Sequence, residues 1–270
     1  MDFEKAVAFV TDRGNEIEQA RINYVLVNER PSELIVGKLF AGQRPDGSWS
    51  PFWANDYSSL DATCFRLAQA EQLGFTKEEP AIIRAIRFLA QRQTPDGSWE
   101  EDEQIADLAP PWTVPGTVET RLYLTANCGL WLALLDTADT RALKAAGYLQ
   151  PHLGQDGRLP GFLHSHWLAA ALWHKLSWHE SAERVFEYLG SNLDDLATSN
   201  LSWLITALHA AGVATNHPLM YKAASLLESR QGEDGRWPSE DGSSHDVHST
   251  LETMRALWLC GRVVKRRTAG

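Results

Sequence analysis

Two kinds of apolar segment alternate along the chain. Ile82, Ile83, Ile86 and Leu89 recur at helical spacing, and Leu219, Ala223, Leu226 and Leu227 do the same. Apolar positions three and four apart mark a helix with one buried face. Longer segments follow at residues 59–73, 117–135, 164–176, 197–211 and 246–260, with apolar residues on nearly all faces. These are predicted to be buried helices. Amphipathic outer helices paired with buried inner ones predict an all-α chain folded as an α/α toroid. Residues 3–30 add two further helices. Glu16, Ala20, Ile22 and Val25 sit on the second and are expected to help close the ring. One domain is expected over residues 1–270, with an N-terminal helical extension at 1–34 and repeats over 35–262.

A short phrase punctuates this alternation. It reads Gly42-Gln43-Arg44-Pro45-Asp46-Gly47-Ser48-Trp49, then Arg92-Gln93-Thr94-Pro95-Asp96-Gly97-Ser98-Trp99. A third copy is Gly154-Gln155-Asp156-Gly157-Arg158-Leu159, with Leu in place of Trp, and a fourth is Arg230-Gln231-Gly232-Glu233-Asp234-Gly235-Arg236-Trp237. Asp-Gly is turn chemistry, because glycine accepts the positive φ of a tight turn. Copies roughly 40 to 80 residues apart are what stacked helical hairpins produce.

A helix ending in Gln, followed by Asp-Gly-x-Trp, resembles the QW repeat of squalene–hopene and oxidosqualene cyclases. Related turns occur in protein prenyltransferase β-subunits. The resemblance implies a terpenoid cyclase-like toroid, with Gln43, Gln93, Gln155 and Gln231 capping helix ends and Trp49, Trp99 and Trp237 stacked on them. It further implies an isomerase or lyase acting on an isoprenoid by acid-initiated cyclisation. Full cyclases of the family have two helical domains, and this chain has the length of one. Their proton-donating Asp-x-Asp-Asp motif does not occur here. The nearest echoes are Asp246-Val247-His248-Ser249-Thr250, where His248 takes the acid's place, and Leu60-Asp61-Ala62-Thr63. The prenyltransferase side of the resemblance implies zinc on Asp, Cys and His. Asp61 and Cys64 are three apart rather than the family's two, so no metal and no cofactor are expected. A complement-type thioester toroid is disfavoured, because no Cys lies in a Gly-Cys-Gly-Glu-Gln context.

Polar residues on the buried helices point to a shared cavity. They are His245, His248, Ser249 and Glu252; Ser199, Ser202, Thr206 and His209; Glu119, Thr120, Tyr123 and Asn127; His164, His166 and His174; and Asp61. Buried polar groups are costly unless paired, so stripes on several inner helices read more simply as a partly polar lumen than as separate core networks. The acid is expected among Asp246, His248, Glu119 and Asp61, with Asp246 and His248 facing Glu119 and Asp61 across the ring. Tyr57, Trp112, Tyr123, Trp167, His166 and Asn127 are expected to line the ligand site. Residues 100–114 form the one long irregular loop between repeats, the kind that serves as a lid or binding loop.

Composition narrows the partners. The net charge of −10 argues against nucleic acid, whose phosphates demand a basic surface. The basic run Arg262, Lys265, Arg266 and Arg267 reads as a solvated end, with peripheral membrane contact as the minor alternative. Cys64, Cys128 and Cys260 are widely spaced in apolar segments and read as reduced thiols. With no apolar stretch of 18 residues and no leader-like start, a cytoplasmic protein with a small-molecule ligand is expected. The alternatives are a non-catalytic toroid that binds a lipid or other small ligand, and a carbohydrate-active α/α toroid with two carboxylates.

Overall fold

The computed structural model describes residues 1–136 and 140–263. Lys265, Arg266 and Arg267 of the basic tail lie outside the described residues, while Arg262 pairs with Glu228 at 3.6 Å. Among the described residues there are twelve α-helices, and the one β-pairing is an isolated bridge between Trp49 and Ser59.

Six helices form an outer layer: α1 (Phe3–Arg13), α3 (Glu33–Phe40), α5 (Pro80–Gln91), α7 (Thr140–Leu149), α9 (His179–Asn192) and α11 (Pro218–Ser229). Six form an inner ring: α2 (Glu16–Val27), α4 (Leu60–Glu71), α6 (Val118–Leu135), α8 (Leu163–Lys175), α10 (Thr198–Ala210) and α12 (Asp246–Leu259). The inner helices pack in order, α4 on α6, α6 on α8, α8 on α10 and α10 on α12. The ring closes where α1 and α2 pack on α12. Buried Ile22 and Val25 of α2 and Ala6 and Val10 of α1 join the single apolar core. α6 shows why the inner segments read as apolar all round: residues 124–130 are buried without a break.

The four Asp-Gly turns share one geometry, each leading from an outer helix to the next inner one. The Asp carboxylate accepts the N–H two residues on, as in Asp46 to Ser48 and Asp96 to Ser98, both at 3.0 Å. The turn glycines have φ near +90°, at +94° in Gly97, a region that L side chains avoid. A Cβ on Gly97 would also lie 2.7 Å from the Lys144 carbonyl oxygen of the next outer helix. Gly47, Gly157 and Gly235 meet α5, α9 and α1 in the same way. The fourth turn thus seats against the first helix of the chain.

Gln and Trp each have a defined task in these turns. Gln93 donates to Gly97 O at 2.9 Å and to Arg141 O at 3.0 Å, tying its turn to the start of α7. Gln43 reaches Ala81 O on α5 and Gln231 reaches Asp2 O beside α1. In the third turn, Leu153 occupies the Gln position. Gln155 stands instead where Pro45 and Pro95 stand, which corrects its assignment as the equivalent glutamine. The indole N–H of Trp99 donates to Leu89 O, and that of Trp237 to Leu227 O, each at 2.7 Å, satisfying carbonyls at the ends of outer helices.

Candidate functional site

The backbone N–H after each Asp-Gly turn fixes the register of the following inner helix. Trp49 N donates to Thr63 Oγ1 at 3.2 Å, Trp99 N to Thr125 Oγ1 at 3.0 Å and Trp237 N to Thr250 Oγ1 at 3.0 Å. In the third repeat, Leu159 N donates to His166 Nε2 at 3.1 Å. These four acceptors point outward from the ring. The residues two positions earlier are therefore equivalent: Asp61, Tyr123, His164 and His248. All four are half-buried, and the first three are linked side to side.

Asp61 is the centre of that linkage. Tyr123 Oη donates to its Oδ1 at 2.7 Å, and Trp112 Nε1 donates to its Oδ2 at 3.2 Å. Asn127 Nδ2 reaches Tyr123 Oη at 3.4 Å. Tyr123 lies edge-on to Phe162 and His164, and His164 in turn touches the rings of Trp167 and Trp203. Burial pushes the Asp61 carboxyl above its ordinary pKa, and the Tyr123 and Trp112 donors pull it only part of the way back. Burial raises the Tyr123 phenol well above its ordinary value, helped by the Asp61 charge, and holds His164 down to about 4. The result is a carboxyl biased toward its neutral acid form, beside a neutral imidazole and within a wall of aromatic rings.

The long loop before α6 builds half of this arrangement. Glu101 folds back onto the start of α4, where its Oε1 accepts from Ser59 Oγ at 2.7 Å, Leu60 N at 2.9 Å and Asp61 N at 3.2 Å. Its Oε2 accepts from Tyr57 Oη at 2.9 Å. Burial raises the Glu101 carboxyl against these donors. Further along, Glu100 pairs with Arg121 at 2.6 Å, and Trp112 comes down over Asp61. Glu101 was not foreseen from sequence. It sits in the acidic run Glu100-Glu101-Asp102-Glu103, which reads as solvated.

Several expected site residues have other employment. Asp246 is buried, with Oδ2 on Arg236 Nη1 at 2.7 Å and Oδ1 on Ser239 N at 2.8 Å, so both oxygens hold the preceding loop. Its register matches Ser59, four residues before the acceptor threonine, and not Asp61. His248 does hold the place equivalent to Asp61, but burial lowers its pKa despite the nearby Glu252 charge, leaving a neutral imidazole. Glu119 is exposed beside Gly161. The carboxylate of Asp246 thus turns back to Arg236 and the preceding loop. Tyr57 is buried and spends its hydroxyl on Glu101 and on Asp102 N. His166 stands where the threonines stand and stacks on Tyr188, away from the lumen. Cys64 and Cys128 lie with sulfurs 3.8 Å apart in the core, and among the described residues no cluster of His, Cys, Asp and Glu can hold a metal.

The opposite mouth of the ring holds a cavity of about 590 Å³ at the C-terminal ends of α4, α6 and α12. Trp131, Trp258, Tyr24 and Phe75 line it together with Gln72, Glu71 and Arg255. Beneath it, Arg21 pairs with Glu252, and Arg255 with Glu71. Burial alone would raise the Glu252 carboxyl, but Arg21, with Arg255 and the Gln72 amide, overcomes this and holds it below its ordinary value.

With this geometry in place, comparison with known proteins assigns the family. A family profile described as the A-macroglobulin TED domain matches residues 37–200, more than half of the chain. The chain belongs to that family. This corrects the expectation against a complement-type toroid as far as kinship goes; the Gly-Cys-Gly-Glu-Gln sequence itself is absent from this TED-type chain. Squalene–hopene cyclase of Zymomonas mobilis subsp. mobilis is 21% identical to this toroid over 259 residues, covering 89% of this chain and 34% of the enzyme. A probable squalene–hopene cyclase of Sinorhizobium fredii is 23% identical with the same coverage. The chain thus spans about a third of the length of these relatives. The type II terpene cyclase MstE from Scytonema superposes with a TM-score of 0.63 at 15% identity, covering 96% of this chain and 97% of that one. It has also been solved, as a variant, with the substrate geranylgeranyl dihydroxybenzoate, at a TM-score of 0.63 and 14% identity. At such identity the likeness is one of fold, and it establishes the α/α toroid.

Proposed function

We propose that this toroid is a terpenoid cyclase-like enzyme in which Asp61 starts cyclisation by protonating an alkene of an isoprenoid substrate. The observation that carries this reading is the setting of Asp61: a carboxyl biased by burial toward its acid form, linked to a run of aromatic side chains made of Trp112, Tyr123, Phe162, Trp167 and Trp203. A proton donor must hold its proton near working pH, and aromatic faces attract the cation that results. The names of the relatives and the substrate solved with MstE support an isoprenoid as the substrate class.

In the proposed step, the O–H bond of Asp61 breaks and a C–H bond forms at one alkene carbon, leaving a carbocation that the next alkene attacks. The cyclised cation then loses a proton, so the overall change is an isomerisation. Trp112 occupies Oδ2 with its indole N–H, so the substrate alkene has to take that place, and the 100–114 loop acts as the gate. Exposed Phe52, Leu108 and Val118 surround the same rim and favour entry of an apolar substrate from a lipid surface, a peripheral membrane contact. Glu101, the nearest second carboxylate, is committed to the start of α4, which disfavours the carbohydrate reading.

The test is incubation with geranylgeranyl dihydroxybenzoate, geranylgeranyl diphosphate, farnesyl diphosphate and squalene in D₂O. The proposal expects a cyclic product carrying one deuterium from solvent. Binding without conversion would favour the non-catalytic toroid. Product formed with loss of diphosphate and no deuterium would show that ionisation, not protonation, starts the reaction.

A further inference from the structure

Gln72, the C-cap of α4, is buried and lines the 590 Å³ cavity at the far mouth of the ring. Its amide nitrogen donates to both oxygens of Glu252, at 3.2 and 3.3 Å. Glu252 is held as a carboxylate by Arg21 and has no proton to give, so the amide cannot flip. The Gln72 Oε1 therefore faces away from Glu252, and it has no hydrogen-bond partner despite being buried. An orphaned buried acceptor in a roomy cavity calls for a donor.

The rest of the cavity restricts what that donor belongs to. Glu71 is matched by Arg255, and Glu252 by Arg21, so the charges beside Gln72 are already neutralised. Lys77 is the remaining charge on the lining, and it disfavours a cation. An anion has nothing to donate to Oε1. Trp131, Trp258, Leu134 and Phe75 offer an apolar surface for the body of the ligand. We infer that this mouth is a second binding site, separate from the Asp61 end, for a neutral apolar molecule bearing one hydroxyl group that donates to Gln72 Oε1. Asp61 and Gln72 are at opposite ends of α4, about 16 Å apart along its axis, and the inference does not depend on Asp61 being catalytic.

The test is titration of the intact chain with 1-decanol and with decyl methyl ether, which lacks the donor, read by tryptophan fluorescence. Both are saturated, so neither is a substrate for an alkene-protonating acid. Wild type is expected to bind the alcohol about fivefold more tightly than the ether, the scale of one hydrogen bond. Gln72→Met should reduce that preference to less than twofold. Ala210→Leu, which narrows the cavity and leaves the Gln72 amide and its partners in place, should weaken both ligands at least tenfold and serves if Gln72→Met fails to fold. Asp61→Asn should leave both affinities within twofold. Equal affinity or no binding in wild type, a preference kept in Gln72→Met, unchanged binding in Ala210→Leu, or loss of binding in Asp61→Asn would each overturn the proposal.

Discussion

At the start of α4, Thr63 takes the N–H of Trp49, and Asp61 stands two residues earlier with its oxygens on Tyr123 and Trp112. At the start of α12, Thr250 takes the N–H of Trp237, and His248 stands in that place. The carboxylate of α12, Asp246, comes two residues sooner and is spent on Arg236 and the Ser239 N–H. The same turn thus delivers one carboxyl to Tyr123 and Trp112 and another to the loop behind it. Two residues of register separate a carboxyl with only neutral donors, which burial biases toward the acid, from one that is paired with an arginine. Position relative to the acceptor threonine therefore identifies equivalent positions on the inner helices better than likeness to an acidic motif does.

The largest effect expected is on the shared frame. Trp99→Ala removes a fully buried indole and its bond to Leu89 O, and should cost about 3–5 kcal/mol of stability. Chemical denaturation checks this, and a loss below about 1 kcal/mol would mean that the turns do not set the register. Next, Asp246→Asn should destabilise by about 1–3 kcal/mol, because Arg236 and the Ser239 N–H lose an ionised acceptor. If the site lies at α4, turnover by the folded Asp246→Asn fraction stays within a few-fold of wild type.

A third expectation concerns the pH dependence of Asp61. Burial raises the folded-state pKa of Asp61 above 3.8. The stability tied to its proton is full below that ordinary value and is lost as pH rises through the raised one. Asp61→Asn should therefore raise the melting temperature relative to wild type at about pH 8 and leave it little changed near pH 4. A lowered melting temperature at both pH values would mean that Asp61 serves the fold as an anion. The smallest effect expected is that of Tyr123→Phe. It removes a donor that favours the carboxylate, so the alkaline limb of the activity profile should move to higher pH with only a few-fold change in maximal rate.

These contrasts also mark how far the residues alone could lead. The helix pairing and the turns were legible because Asp-Gly chemistry and apolar spacing are local. The division of labour between Asp61 and Asp246 was not legible, because it depends on Arg236 folding back across a loop and on a threonine outside either motif. Likewise, His166 looked like a lumen histidine until the Leu159 N–H showed it doing a threonine's work. Glu101 was hidden because nothing in an acidic run says which member turns inward.

The most direct test of the central claim is the turnover of geranylgeranyl dihydroxybenzoate, or of whichever isoprenoid wild type converts, by Asp61→Asn and Asp246→Asn measured side by side. The account predicts that Asp61→Asn folds, binds the substrate and loses about 10²–10⁴-fold in kcat, the scale of general acid catalysis, while folded Asp246→Asn stays within a few-fold of wild type. Full turnover by Asp61→Asn, with the loss appearing instead in Asp246→Asn, would contradict it.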